Sequence, residues 1–256
     1  MGEALAMEMI DAYLARIGAT RTTSLADLQE LHLRAVPFEN LSIHLGEPIV
    51  LDEDALVAKI ATGHRGGFCY ELNGALAVLL RALGHDVQYL SARVYLGERL
   101  SAPFEHLALR VDDTLVDVGF GDFALRPLSL TSRADQPDVE GVFRVVEAEY
   151  GDLDVLQDDE PQYRLEMRPR ALADFAPMCW YQQHSPDSAF VKRALATLPT
   201  VGGRVTVSGH RVITTVGGEK VEREVGDAEL LEVYQSAFGI ALDRVPSRSD
   251  KSALVP

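Results

Sequence analysis

The chain has 256 residues, 47% of them hydrophobic and 25% charged, the composition of a globular protein that buries a core of its own. Its formal charge of −15, from 39 acidic and 24 basic side chains, excludes nucleic acid as the main partner, because phosphate contacts need clustered Lys and Arg. The two cysteines, Cys69 and Cys179, make neither a disulfide framework nor a cysteine-rich zinc site, and the apolar runs are too short for a membrane helix.

The start, Met1-Gly2-Glu3-Ala4, lacks the basic cluster and apolar stretch of a signal peptide, so a reducing cytoplasm is the expected home. The first third reads helical. Leu5, Met9, Ile10, Tyr13, Leu14 and Ile17 share one face, ended by Gly18. Ser24 is placed to cap a second helix with Leu25, Leu28 and Leu31 on its apolar side. A third is expected from about Asp54 to Thr62. The stretch Arg65-Gly66-Gly67-Phe68-Cys69-Tyr70-Glu71-Leu72-Asn73 opens a fourth. There Leu72, Ala75, Leu76, Leu79, Leu80 and Leu83 recur at helical spacing, and Gly84 supplies the stop.

After Gly84 the pattern turns to short alternating runs: Val87 to Tyr95, His106 to Val111, Thr114 to Gly119 and Gly141 to Val146. The acidic, turn-rich stretch from Glu147 to Glu160 reads as a solvated loop. A helix is expected near Ser188 to Leu198, then strands with glycine turns at Gly202-Gly203 and Gly217-Gly218. A last helix runs from about Asp227 to Phe238 and ends at Gly239. Ser247 to Pro256 reads as a frayed tail. Helices, then sheet, then a mixed end make an α+β class rather than a doubly wound sheet.

Cys69 carries the main chemical signal. At a helix start it meets unpaired backbone N–H groups and the positive end of the dipole, both of which favour thiolate. A thiolate is a nucleophile, so one reading is covalent catalysis and the other is a small buried apolar residue. His106 and Asp117 lie in two runs joined by Asp112-Asp113. If Val111 pairs with Thr114, Ala108 faces Asp117 and His106 faces Gly119. His106 and Asp117 are then diagonal neighbours on one face, about 7–8 Å apart at the backbone. Gly119 is expected to leave the imidazole room to turn. An aspartate there fixes the imidazole tautomer and stabilises its charged form, leaving the other nitrogen for a thiol. Separately, His106 reads as a half-buried strand residue and Asp117 as a turn cap. Together the three complete the logic of an activated nucleophile. Cys179, in Met178-Cys179-Trp180-Tyr181, reads as core and His64 as a surface histidine. His32, His44, His85, His184 and His210 show no metal-ligand spacing, and neither glycine pair makes a phosphate-binding fingerprint, so no metal is expected.

These pieces resemble the arylamine N-acetyltransferases. The resemblance is carried by Pro37-Phe38-Glu39-Asn40-Leu41, Arg65 to Asn73, His106-Leu107, Val116-Asp117-Val118-Gly119-Phe120-Gly121 and Ser185-Pro186-Asp187-Ser188-Ala189-Phe190. It runs on to Phe238-Gly239-Ile240. It implies a helical region over 1–84 carrying the cysteine, a β-barrel-like region over 85–187 carrying His106 and Asp117, and an α/β lid over 188–256. The core would be a cysteine-protease-like Cys-His-Asp arrangement. The implied enzyme serves xenobiotic metabolism, holds no tightly bound cofactor and takes acetyl-CoA as co-substrate. Cys69 would take the acetyl group, and an arylamine, arylhydrazine or arylhydroxylamine would then remove it in a ping-pong cycle. His106 would pair with Cys69 as imidazolium, and Asp117 would hold that cation. Phe38, Val94 and Phe120 fall where the family lines its acceptor pocket, and Arg65 and Glu39 would support the cysteine loop. Glu105 stands where many relatives carry a small hydroxyl residue. Adjacent strand residues point to opposite faces, so it is expected to face solvent rather than the acceptor.

Three other functions compete. An amide synthase that closes or releases a polyketide chain onto an aromatic amine would share the acyl-cysteine step. A thiol peptidase or transglutaminase-like enzyme would share the triad. A binding domain would leave Cys69 inert.

Overall fold

The computed structural model describes residues 3–247. Helices dominate the first part: α1 (Glu3–Ile17), α2 (Leu25–Ala35), α3 (Leu41–Leu45), α4 (Glu53–Ala61) and α5 (Cys69–Ala82), with a short strand β1 (Phe38–Glu39) between α2 and α3. Ser24 caps α2 by accepting the Asp27 N–H at 3.2 Å. The apolar stripes of these helices meet in one core, where Tyr13, Leu28, Ile60, Leu72 and Leu76 are fully buried.

A large antiparallel sheet follows. Its strands are β2 (Val87–Leu96), β3 (Arg99–Leu100), β4 (His106–Val111), β5 (Thr114–Val116), β6 (Leu128–Ser129), β7 (Gln136–Asp138), β8 (Gly141–Glu147), β9 (Leu153–Gln157) and β10 (Glu160–Arg170). They lie in the order β6-β5-β4-β2-β10-β9-β8-β7, with β3 added to β2. The two ends of this order meet. The Gln136 side-chain amide accepts the Ser129 N–H at 2.6 Å and donates to the Ser129 carbonyl at 3.1 Å. A side chain thus stands in for ladder bonds and nearly closes a barrel.

The remainder comprises α6 (Ala176–His184), α7 (Ala189–Lys192), β11 (Leu195–Thr200), β12 (Gly203–Ser208), β13 (Arg211–Val216), β14 (Glu219–Glu224) and α8 (Asp227–Phe238). Strand β1 forms the edge of this second sheet, with Phe38 opposite Thr197 and Glu39 opposite Ala196. The fold is α+β, as expected. No helix among the described residues is long and apolar enough to cross a membrane.

Three stretches differ from the sequence reading. The acidic segment 147–160 contains β9, whose Leu153 and Val155 are buried while Asp154 between them is only half-buried. Period-2 burial operates beneath an acidic composition. The expected helix over 188–198 stops at Lys192, and β11 takes over at Leu195. Pro199 cannot continue a helix, and β1 and β12 offer pairing on both flanks. Strand β5 ends at Val116, not Gly119. The next N–H groups turn to side-chain acceptors instead: Val118 N–H to Asn73 Oδ1 at 3.0 Å and Gly119 N–H to Asp117 Oδ1 at 2.9 Å. The tail expected to fray lies, from position 248 on, outside the described residues.

Candidate active site

The glycine pair before Cys69 is required by close packing. A Cβ on Gly66 would sit 1.9 Å from the Pro37 carbonyl oxygen, and one on Gly67 2.6 Å from Glu71 Cβ. Gly67 bridges to Phe38, and its carbonyl accepts the Glu39 N–H at 2.8 Å. Arg65 reaches the buried Glu39 at 2.9 Å, and Lys59 pairs with the buried Glu71 at 2.5 Å. Each buried carboxylate therefore has a cation, as burial demands. Glu71 also accepts the Phe68 N–H at 3.2 Å, which caps the helix one residue before Cys69. Cys69 is the first residue of α5 and 3% exposed.

Strand register delivers the histidine. His106 opens β4 opposite Ala92 on β2, while Tyr163 on β10 lies opposite Val94. Ala92 and Val94 are two apart, so His106, Val94 and Tyr163 share a face. Phe104, just upstream, has the left-handed φ of 64°. Its N–H donates to Ser91 Oγ at 3.1 Å, and its carbonyl accepts the Tyr70 hydroxyl at 2.8 Å. A conformation that costs energy is thus held by bonds on both sides of the residue.

The Asp117 carboxylate is fully used. Oδ2 accepts His106 Nε2 at 2.6 Å and the Tyr163 hydroxyl at 3.0 Å. Oδ1 accepts Asn73 Nδ2 at 2.8 Å and the Gly119 N–H at 2.9 Å. Burial alone would raise this carboxyl. The charge and hydrogen bond of His106, with the donors from Asn73 and Gly119, outweigh burial and hold it below its ordinary value. Asn73 also donates to the Leu107 carbonyl at 2.7 Å, so one amide ties the cysteine helix to β4 and to the aspartate loop.

Gly119 corrects an expectation. A Cβ there would lie 2.6 Å from Cys69 Cα and 3.0 Å from Cys69 Cβ. The glycine makes room for the cysteine, not for the imidazole. With Nε2 on Asp117, Nδ1 is the ring nitrogen left for the thiol. The thiolate argument from the helix start also needs revision. Burial pushes the Cys69 thiol well above its ordinary value, and the charge on Asp117 pushes the same way, although the Leu107 and Tyr70 N–H groups pull it down. A helix start therefore does not make the thiolate by itself; it needs a cation beside it.

Around this cluster stand the expected wall residues. Phe120 packs edge-on against His106 with ring centres 5.2 Å apart, and against Tyr163 at 5.0 Å. Phe38 lies 6.1 Å from Phe190, on the side of Gly121. Val94 faces Tyr163 across the ladder. Cys179 is buried on α6, its thiol pushed up to about 12 by burial, and His64 is exposed. A depression of about 290 Å³, lined by Asp86, Gln88, Arg110, Asp112 and Asp113, opens at the other end of β4 and contains no nucleophile. Among the described residues no cluster of His, Cys, Asp and Glu is placed to hold a metal ion.

Two contributors had been missed. Asn73 follows Cys69 by one helical turn, a spacing legible in the sequence as a shared face. Tyr163 carries no local signal, since only the long-range pairing of β10 with β2 brings it in.

Known proteins share this architecture. A family model described as N-acetyltransferase matches residues 22–246. The pineal gland arylamine N-acetyltransferase isozyme NAT-10 of Gallus gallus is 32% identical, over 92% of this chain and 95% of its own length. The arylamine N-acetyltransferase of M. smegmatis superposes with a TM-score of 0.83 at 30% identity, covering 91% of this chain and 92% of that one. The Mycobacterium marinum enzyme, solved in complex with CoA, gives 0.81 at 28% identity over 90% and 92%. With matches that span nearly its whole length in both sequence and structure, the chain belongs to the arylamine N-acetyltransferase family.

Proposed function

We propose that this arylamine N-acetyltransferase works through Cys69 as nucleophile, His106 as proton carrier and Asp117 as the fixed counter-ion. The donor is acetyl-CoA, the acceptor is an arylamine, arylhydrazine or arylhydroxylamine, and the setting is a reducing cytoplasm that keeps Cys69 a thiol. The observation that carries this reading is the 2.6 Å bond from His106 Nε2 to the buried Asp117, made beside the first residue of α5. The proton of the Cys69 thiol moves to His106 Nδ1. The thiolate attacks the thioester carbonyl carbon, the bond from that carbon to the CoA sulfur breaks, and CoA leaves with the proton from the imidazolium. The acceptor nitrogen then attacks the acetyl carbonyl on Cys69. Its proton passes through Nδ1 to the departing sulfur, giving the amide and the free thiol. Asp117 already accepts four hydrogen bonds, so it holds the imidazolium without taking the proton.

The CoA held by the Mycobacterium marinum relative supports the donor. The aromatic rings of Phe38 and Phe120 support an aromatic acceptor. The family match and its relatives favour acetyl transfer over an amide synthase, a thiol peptidase or an inert cysteine. Incubation with acetyl-CoA and no amine should leave one acetyl group on Cys69, seen by intact-protein mass spectrometry and peptide mapping. Added arylamine should clear it. No adduct, or one on another residue, would overturn the reading. Longer acyl-CoAs and carrier-protein thioesters, scored by the same adduct, define the donor range.

A further inference from the structure

We propose that Glu105 is a positioning residue for the acceptor: through Gln182 and Ser188 it fixes the α6–α7 segment, and with it Phe190, behind the pocket wall at Phe38. The proposal rests on the acetyl-transfer reading above. Glu105 does not face open solvent as the sequence suggested. Its Oε1 accepts the Gln182 Nε2 donor at 2.8 Å. Gln182 is 2% exposed and Ser188 3%. The Ser188 hydroxyl bridges to Gln182, with Oε1 at 2.6 Å and the carbonyl at 3.0 Å. Ser188 also caps α7 by accepting the Phe190 N–H at 3.2 Å.

Phe190 sits between two rings of the site. It lies edge-on to Phe68, 5.4 Å away, and 6.1 Å from Phe38. Its carbonyl accepts the Asn40 amide at 2.9 Å. Helix α7 is only four residues long, too short to hold its place by helix propensity. Its position comes from the Ser188 cap, the ring contacts and the bonds that Asn40 and His44 make to the Phe190 carbonyl, and of these the cap is the one tied to Glu105. The other side of Glu105 reaches the nucleophile. Its carbonyl accepts the Tyr70 hydroxyl at 3.1 Å and lies 4.0 Å from Cys69 Sγ. One residue therefore joins the cysteine, through its main chain, to the aromatic wall, through its side chain. Removing the Oε1 acceptor leaves a buried amide without its partner, and the segment must shift to satisfy it.

The two half-reactions separate this role from general structural support. In single-turnover experiments, Glu105→Leu should acetylate Cys69 within about twofold of the unaltered protein, while the KM for the arylamine rises about tenfold, the loss expected for one hydrogen bond to a charged group. Glu105→Gln keeps an acceptor oxygen for Gln182 without the charge and should restore the acceptor KM to within about twofold. Adding Gln182→Leu to Glu105→Leu should cost no more than the worse single change, as in a coupled pair. Ser188→Ala breaks the relay at its far end and carries the same expectation should Glu105→Leu not fold.

The proposal is overturned if Glu105→Leu leaves the acceptor KM unchanged. It is equally overturned if acetylation falls in step with transfer, or if Glu105→Gln is as impaired as Glu105→Leu. An unaltered protein that forms no acetyl-Cys69 sinks the acetyl-transfer reading and this one with it. Normal transfer by an acetylated Glu105→Leu variant sinks this one alone.

Discussion

Two histidines in different regions of this molecule are both buried and meet opposite kinds of partner. His32, on α2, is 0% exposed, and His106, on β4, is 3% exposed. His32 Nδ1 meets a neutral partner, the Tyr13 hydroxyl, at 3.0 Å. Burial, with the Arg16 charge adding to it, lowers its pKa to about 3, so it stays neutral across the physiological range. Its Nε2 has no partner among the described residues. His106 instead faces a carboxylate that three further donors, Tyr163, Asn73 and the Gly119 N–H, hold in place. Burial alone does not decide whether an imidazole can carry a proton; the group on its far nitrogen does.

Asp117→Asn erases that difference by giving His106 a neutral partner, as Tyr13 is to His32. Acetyl transfer should fall by about 10⁴-fold in kcat/KM with the fold retained. A loss below tenfold would mean that the charge on His106 owes little to Asp117. His32→Phe probes the other side. The folded pKa of about 3 lies below the ordinary histidine value of 6.5, so the unfolded chain binds the extra proton between those values. Stability is therefore lost as pH falls from about 6.5 towards 3, by an amount on the order of 4 kcal/mol. Urea titrations across that range should show a flatter pH slope for His32→Phe, with the pH profile of acetyl transfer unmoved. An unchanged slope would show that His32 protonates in place. Tyr163→Phe removes one of the four donors on Asp117 and should lower kcat about tenfold with little change in melting temperature. A normal kcat would mean that three donors hold the carboxylate as well as four.

Much of this contrast was legible in the sequence, and the remainder was not, for identifiable reasons. The parity of two short runs put His106 and Asp117 on one face, and the observed pairing of Val111 with Thr114 is the one that argument assumed. The capping serine and the glycine stops were equally readable, because each acts within a few residues of itself. Tyr163 and the relay from Glu105 to Ser188 were not readable. Their partners lie far along the chain, joined only by the β2–β10 ladder or by the packing of α6. Composition misled where two patterns overlapped. The aspartates around Leu153 and Val155 hid an alternating strand, and the helix-favouring residues at 194–198 hid one that only its neighbours on the second sheet could stabilise.

Gly119 has a consequence for how this enzyme can change over evolutionary time. Its backbone lies directly against the Cα and Cβ of the cysteine, with no side chain that could adopt another rotamer. The floor beneath the nucleophile is therefore incompressible, and no substitution there can widen it. On the proposed reading, a lineage that comes to accept a bulkier acyl group or acceptor has to find the space among side chains that can be exchanged, such as those of Phe38 and Phe120. Substrate range in such a site would then diverge through its side chains, while the ground under the cysteine stays as it is.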